Sequence, residues 1–165
     1  MLMCKNEDIE KKEDLAYLYI NETYRVFRDR LIDEKDRERF SLMSHEIMEN
    51  YLTLDWELAA FQNTLFGDFE TNERKYVKLS GAQELIPRLE DLLTVYNSGD
   101  NQTMNLVFFE DCIQHLSRIA RILRQQRGNA MLVGVGGSGR SSMARLAANI
   151  NAMTTFSIEI TKSYR

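Results

Sequence analysis

Residues 130–150 read AMLVGVGGSGRSSMARLAANI, and this stretch decides the predicted fold. Its first four residues are all apolar, which is typical of a buried parallel strand. A glycine-rich loop follows at 134–139, and the next residues predict a helix over 140–150 whose inner face carries Met143, Leu146, Ala147 and Ile150. Residues 155–160, TFSIEI, alternate and are rich in β-branched side chains, which predicts a second strand. Strand, loop, helix and strand in this order form a βαβ unit.

Residues 134–141, GVGGSGRS, fit the phosphate-binding pattern G-x-x-x-x-G-K-[ST] at every fixed position except Arg140, which replaces the usual lysine. In such a loop, successive backbone N–H groups wrap a phosphate, and the following helix points its positive end at it. The basic side chain neutralises phosphate, and the hydroxyl of Ser141 is the predicted Mg²⁺ ligand. The sequence therefore predicts a site for ATP or ADP made of Gly134, Val135, Gly136, Gly137, Ser138, Gly139, Arg140, Ser141 and Ser142. The alternative is a glycine-rich turn that binds no ligand.

The arginine in the loop and the residues around it argue against hydrolysis. A guanidinium is planar and bulkier than an ammonium, so Arg140 would not place its charge where lysine does in the transition state. The segment LVFFED at 106–111 resembles a metal-holding acidic strand end, but it precedes the loop and continues into helical spacing. No such acidic end follows the loop in this sequence, and hydrolysis needs one. We therefore predict nucleotide binding with poor or absent turnover and no catalytic residue in this chain.

The upstream sequence predicts helices over 14–32, 36–52, 82–96 and 103–125. Asp36 is the expected N-cap of the second helix, and Pro87 leaves open a start of the third helix at about 86. The second helix is expected to pack through one face, and FGDF at 66–69 is expected to be a turn. The inner face of the second helix would carry Phe40, Met43, Ile47 and Tyr51.

Arginines recur every third residue at the end of the fourth predicted helix, at Arg118, Arg121, Arg124 and Arg127. The simpler interpretation is a solvated face whose cations are favoured near a helix C-terminus. The alternative is a stripe that faces phosphate or acidic partner residues.

Composition excludes several classes of protein. The chain has 165 residues, of which 44% are apolar and 28% charged, as in an ordinary soluble globular protein. Its net charge of −4 hides an asymmetry, because residues 1–110 carry −10 and residues 111–165 carry +6. No apolar run is long enough for a membrane span, and acids stand where a signal peptide would be apolar. Cys4 and Cys112 lack the spacing of the cysteines in a structural zinc site. No basic stretch of the sequence is interleaved with the aromatic residues that are typical of a nucleic-acid site. We therefore expect neither a membrane nor a nucleic-acid partner.

Several stretches resemble an axonemal dynein heavy chain. Residues 128–164 resemble the fourth AAA+ module of that family, including the arginine in place of the loop lysine, and residues 106–111 and 119–125 resemble the segment that leads into it. YRVFRDRL at 24–31 is similar to the helical lid of the third module, and LFGDF at 65–69 to the connecting stretch. Asn129 stands where the family often has histidine. Ser141-Ser142-Met143 stand where it often has Gln-Ser-Leu, which leaves both Ser141 and Ser142 open as the hydroxyl nearest the metal.

The resemblance implies an α/β fold in which a helical N-terminal two-thirds precedes the opening βαβ of an incomplete, Rossmann-like P-loop AAA+ domain. Residues 1–14 are unassigned, 15–97 would be the lid and linker, and 98–165 the start of the P-loop module. Arg25 would be a lid residue that senses nucleotide, with a salt-bridged surface arginine as the alternative.

The implied function is that of a microtubule motor driven by ATP in the axoneme of cilia or flagella, within the cytoplasmic cytoskeleton. Its partners would be the rest of the heavy chain ring and, through the full motor, intermediate chains, light chains and microtubules. A small independent P-loop protein is the first rival. A non-catalytic helical interaction module with a vestigial loop is the second.

Overall fold

The computed structural model describes residues 9, 11–53, 64–99 and 103–158. These residues form five α-helices, one 3-10 helix and one antiparallel strand pair in which Phe66 lies opposite Lys78. No described helix is both long and apolar enough to cross a membrane. The elements in chain order are α1 (Lys12–Val26), the 3-10 helix (Arg28–Arg30), α2 (Glu34–Leu52), β1 (Phe66–Gly67), β2 (Val77–Lys78), α3 (Ala82–Ser98), α4 (Glu110–Arg124) and α5 (Arg140–Ile150).

The first two helices lie close to their predicted positions but differ at their ends. α1 stops at Val26, and Arg28–Arg30 tighten into a 3-10 turn where the sequence predicted continuous α-helix. Arg28 Nε donates to Ser41 Oγ on α2 at 2.9 Å, which ties this turn to the next helix. The N-cap of α2 is Asp33 rather than the predicted Asp36, because the Asp33 carboxylate accepts from the Lys35 backbone N–H at 3.0 Å.

The predicted inner face of α2 is wrong at three of its four residues, and only Phe40 packs against the core around α1. Met43, Ile47 and Tyr51 are exposed, at 53%, 43% and 81%. The helix instead buries Met48 against α1, where it joins a small core with Ala16, Ile20 and Tyr24. The buried face includes Ser41 and Ser44, whose hydroxyls donate to backbone carbonyls four residues earlier in the helix. Small hydroxyl side chains at these positions let α2 approach α1 closely, and a count of apolar residues does not register them.

The segment predicted as a turn at 66–69 contributes strand β1 instead. The rings of Phe66 and Tyr76 pack with centroids 5.7 Å apart, and both side chains cluster with Leu18 of α1. These contacts hold β1 against α1, and β1 pairs with β2 in an antiparallel arrangement. A Cβ on Gly67 would lie 2.7 Å from the Phe69 ring, so the absence of a side chain there lets Phe69 pack over the backbone.

The third helix begins at Ala82, which confirms the earlier of its two predicted starts, and Pro87 lies inside it. The fourth helix begins at Glu110 and not at 103. Residues 103–109 are neither helix nor strand, because the side chain of Asn97 binds both backbone groups of Met104, each at 2.9 Å. Burial alternates here, with Met104 and Phe108 inside and Val107 and Phe109 exposed.

The largest core joins α3, α4, α5 and the segment 103–109. Helices α4 and α5 make its centre, since Leu116, Ile113, Leu146 and Ala147 have no exposed surface. α5 begins at Arg140 and ends at Ile150, which confirms the predicted helix and the inward direction of Leu146, Ala147 and Ile150.

The two strands predicted beside α5 are not formed in the described residues. Residues 130–133 and 155–158 are neither helix nor strand, and residues 159–160 of the second predicted strand lie outside the described ranges. A strand requires a hydrogen-bonded neighbour, and Met131, Val133 and Phe156 are instead exposed at 89%, 79% and 89%. The described chain therefore has the loop and helix of the predicted βαβ unit without paired strands.

Candidate nucleotide-binding site

The glycine-rich loop at 134–139 adopts a conformation that its glycines permit. Gly137 and Gly139 have positive φ angles of 79° and 74°, a region that residues with a Cβ rarely enter. Gly139 is the N-cap of α5, and its carbonyl accepts from the Met143 N–H at 2.9 Å. The loop therefore turns directly into a helix N-terminus, whose first N–H groups have no partner within the helix.

Arg140 lies back across the loop that precedes it. Its Nη2 donates to the carbonyl oxygen of Val135 at 3.0 Å. A Cβ on Gly134 would lie 3.2 Å from Ser138 Oγ and 3.5 Å from Arg140 Cδ, so these side chains pack over the first glycine. The Arg140 side chain thus extends from the end of the loop back to its beginning at Val135.

Most residues of the predicted phosphate-binding loop are accessible from solvent in this conformation. Residues 134–138 and Ser141 are exposed, and Ser142 is half-buried. A phosphate could reach the loop N–H groups, although Arg140 would first exchange the Val135 carbonyl for a phosphate oxygen. Among the described residues, no cluster of three or more His, Cys, Asp or Glu could hold a metal ion. A magnesium ion here would take one hydroxyl and fill its other positions with phosphate oxygens and water.

An open groove of about 590 Å³ runs beside the loop, between α4 and residues 129–135. Ile119, Ile122 and Met143 give it an apolar wall, while His115 and Arg118 lie along its polar side. α5 is held at the far end of this region by Asn151, whose Nδ2 donates to the carbonyl of Ala120 on α4 at 3.2 Å. The position of the loop therefore depends on how α5 packs against α4.

The arginine stripe on α4 is not the solvated face that the sequence predicted, because three of its four arginines lie against acidic residues of the N-terminal half. Arg118 Nε lies 3.8 Å from Asp29, Arg121 forms a bidentate pair with Glu22, and Arg124 pairs with Asp68. Arg74 also pairs with Asp68, at 3.0 Å. The fourth arginine, Arg127, lies beyond the end of α4 with a positive φ of 60°.

Glu22 and Tyr76 form a buried polar network with Arg121 that was not predicted from the sequence. Both side chains of the Glu22–Arg121 pair are only 10% exposed, and the Tyr76 hydroxyl donates to Glu22 Oε1 at 3.0 Å. Burial alone would raise the pKa of Glu22, but the hydrogen bonds and charge of Arg121, aided by Tyr76, hold that pKa below its ordinary value. The sequence signal for this pair was a glutamate among the apolar residues of α1 and a series of arginines at every third position of α4.

Arg25 lies at the same junction. Its Nε is 3.2 Å from Asp29, and its pKa is lowered to about 10, first by burial and then by the neighbouring arginines, with Asp29 opposing. Arg25 is therefore a salt-bridged, largely buried residue between α1 and α4.

Two family models match the sequence. The model described as "P-loop containing dynein motor region D4" matches residues 104–165, and the model described as "AAA+ lid domain" matches residues 1–59. The first match includes α4, the glycine-rich loop and α5, and the second includes α1 and α2. The family that contains the D4 region has a P-loop, which is a nucleotide-binding structure.

Alignments with curated relatives cover almost the whole length of this chain. Mouse dynein axonemal heavy chain 1 is 38% identical over 167 residues, human dynein axonemal heavy chain 2 is 38% identical over 168, and human dynein axonemal heavy chain 6 is 37% identical over 171. The alignments cover 99%, 100% and 99% of this chain, and the chain spans about 4% of the length of each relative. The chain therefore belongs to the axonemal dynein heavy chain family and matches the part of it in which a AAA+ lid precedes the P-loop of motor region D4.

Proposed function

We propose that residues 134–142 bind ATP or ADP as one nucleotide site of a dynein motor ring. The observation that carries this proposal is the loop itself, in which two glycines with positive φ lead into the N-terminus of α5 at the spacing that phosphate-binding loops require. The backbone N–H groups of the loop and the first turn of α5 would hold the β-phosphate. Arg140 would supply the positive charge after leaving the Val135 carbonyl.

Ser141 is the proposed Mg²⁺ ligand, with Ser142 as the alternative. The hydroxyl of Ser141 is exposed at the first turn of α5, whereas Ser142 is half-buried. Replacing each serine by alanine in turn should separate them, because only loss of the true ligand makes nucleotide affinity independent of Mg²⁺.

The site is proposed to bind nucleotide without efficient hydrolysis. Arg140 is already engaged with the loop backbone, and its planar guanidinium does not substitute for the compact charge of a lysine. Arg140→Lys should leave hydrolysis slow if a metal-holding acid is also required, because the substitution restores the compact lysine group and not the acid.

The wider role that we propose for the chain follows from its relatives, which are named as axonemal dynein heavy chains. We infer that residues 15–97 act as lid and linker of one module and residues 98–165 open the next. The chain would then work within a heavy chain ring, with intermediate chains, light chains and microtubules as partners of the whole motor. Movement of cilia or flagella would be the activity of that whole, located at the axoneme.

Arg25 is proposed as a lid sensor of the nucleotide bound by the preceding module. That role would require Arg25 to exchange Asp29 for a phosphate oxygen. Arg25→Gln should then leave nucleotide affinity at the 134–142 loop unchanged, because Arg25 does not contact that loop's described residues.

The direct test is titration of the chain with fluorescent ADP and ATP. We expect saturable, Mg²⁺-dependent binding by the wild type and a loss of about tenfold or more for Gly139→Ala, because a Cβ is strained at φ 74°. Gly81→Ala is the matched control, since nothing lies within 4 Å of its added Cβ and its φ is −55°. A folded wild-type chain that binds neither nucleotide would refute the proposal and favour a vestigial loop.

A further inference from the structure

An apolar stripe of large side chains lies on the exposed side of α2. Met43, Ile47 and Tyr51 recur at four-residue steps, so they share one side of the helix, and all three are exposed. Phe40 borders the same side, three residues before Met43, and its ring lies 6.3 Å from the exposed ring of Phe27, measured between centroids. Large apolar side chains grouped on the solvent side of a helix are typical of a surface that binds another protein.

Two opposite charges flank the apolar stripe of α2. Arg39 and Glu46 are both exposed, and neither has an ion-pair partner among the described residues. Because each residue turns an α-helix by about 100°, Arg39 lies about 40° and Glu46 about 60° from Met43 in the same direction around the helix. The positive charge is nearer the N-terminus of α2 and the negative charge is nearer its C-terminus. This flank is therefore complementary to an antiparallel copy of itself.

An antiparallel pair of α2 helices with Met43 on the two-fold axis brings the apolar residues and the charges into register together. Positions equally far before and after Met43 then lie at the same height along the pair. Phe40 meets Ile47 of the second copy, and Arg39 meets Glu46 of the second copy, each within about 1.5 Å of the same height. The two-fold axis repeats both contacts, so the pair gains two apolar contacts and two ion pairs around the central methionines. The antiparallel orientation also opposes the two helix dipoles.

We propose that this side of α2 is a docking surface for a second copy of the chain, which binds as a symmetric antiparallel helix pair. Burial of the apolar stripe provides the attraction, and the Arg39–Glu46 pairs select the orientation, because a parallel pair would place each charge level with its own kind. A different segment of a heavy chain would not require this self-complementary order of charges.

The pair is expected to be weak. The 19 residues of α2 span about 28 Å, so an interface limited to this helix lies at the small end of protein interfaces. We therefore expect a dimer with a Kd of about 10–100 μM.

Sedimentation velocity at chain concentrations from about 5 to 200 μM, a range that brackets the expected Kd, tests this inference. Exposed apolar residues near the glycine-rich loop also favour association, so every chain in the experiment carries Val133→Lys and Phe156→Lys. We expect a reversible equilibrium between monomer and dimer in this background. Arg39→Glu and Glu46→Arg should each weaken the dimer about tenfold or more, because each variant places two like-charged pairs across the two-fold axis.

Mixing the two charge-reversed chains separates this interface from other modes of association. An equimolar mixture of the Arg39→Glu and Glu46→Arg chains restores both opposite-charge pairs in the heterodimer, so its affinity should return to within about threefold of the parent. The double variant Arg39→Glu with Glu46→Arg should regain the homodimer for the same reason. Glu38→Arg is the matched control, because it reverses an exposed charge about 140° from Met43 around α2 and should leave the dimer unchanged.

Three results would each overturn the proposal: a monomer at every concentration, a dimer that survives both single variants unchanged, or a mixture that stays monomeric. The first result would leave the apolar stripe of α2 to another segment of the heavy chain. None of these measurements involves nucleotide, so the result is independent of binding at the 134–142 loop.

Discussion

At the scale of single residues, the most consequential contact is the buried pair of Glu22 and Arg121. Removing one partner of a buried ion pair leaves the other charge without compensation, which typically costs about 3–5 kcal/mol. Tyr76 adds a hydrogen bond to Glu22, and Asn21 lies next to it in the same network. The pair spans 99 positions in sequence, so it fixes the register of two distant segments.

The lowered pKa of Glu22 predicts a pH-dependent contribution to stability. Because the folded-state pKa lies below the ordinary value of 4.5, the contribution is present above about pH 4.5 and is lost as the pH falls through the folded-state pKa. Glu22→Gln should therefore reduce the free energy of unfolding at pH 7 by about 3 kcal/mol. At pH 3 the loss should be smaller than at pH 7, because protonation of the wild-type carboxyl removes the same charge as the substitution. Urea unfolding at both pH values measures the difference.

The control for this prediction is Glu73→Gln. Glu73 pairs with Lys75 at 2.9 Å on the surface, where solvent screens the attraction, so we expect no measurable change in stability. An equal loss for Glu22→Gln at pH 3 and pH 7 would show that the carboxylate charge does not stabilise the fold.

At the scale of helices and strands, periodicity predicted positions better than faces. The bounds of α5 agree with the sequence because Leu146, Ala147 and Ile150 recur on one side and a glycine precedes the helix. The face of α2 could not be predicted, because apolar side chains occur on two sides of that helix and only the position of α1 decides which is covered. The early part of predicted α4 failed because the Asn97 side chain competes for the backbone of Met104, a contact that no local pattern reveals.

Only the part of the candidate site that is continuous in sequence could be predicted. The spacing of Gly134, Gly139 and Ser141 was visible in the sequence because the loop is continuous. The hydrogen bond from Arg140 to Val135 depends on a side-chain conformation, and the pairing of α4 arginines with Glu22 and Asp68 depends on tertiary packing. The strands beside the loop were predicted from composition, yet strand formation also requires neighbours that the described residues do not provide.

The corrected face of α2 makes a direct prediction. Met48→Ala should lower the free energy of unfolding by about 2–4 kcal/mol, since Met48 is 5% exposed and packs on α1. Met43→Ala is the matched control on the same helix and should cost less than about 0.5 kcal/mol. Chemical denaturation of both variants provides the measurement, and the opposite ranking would mean that α2 packs through its Met43 face.

At the scale of the whole molecule, the chain joins two differently constructed halves. The N-terminal half, which contains α1 and α2, has small apolar cores around α1. The C-terminal half, which contains α3, α4 and α5, has one large core. The halves meet through ion pairs as well as apolar packing. Several large apolar side chains near the loop remain exposed, among them Met131, Val133, Phe156 and Ile158. Exposed apolar residues in unpaired segments favour association with other chains.

We therefore predict that the chain by itself self-associates through this region. The double variant Val133→Lys with Phe156→Lys should reduce association, as measured by sedimentation velocity, without changing the unfolding midpoint. Val95→Lys is the control, because Val95 is an exposed apolar residue on α3, outside the unpaired segments. A monodisperse wild-type chain would contradict the prediction.

The arginine stripe on α4 also has a geometric consequence. Arg118, Arg121 and Arg124 contact acids that belong to three different parts of the fold: the 3-10 helix, α1 and the loop after β1. Each residue turns an α-helix by about 100°, so one inserted or deleted residue before the stripe would rotate all three guanidinium groups away from their acids together. The stripe therefore sets the angular phase of α4. Since α5 packs directly on α4, that phase also sets the direction in which the glycine-rich loop opens.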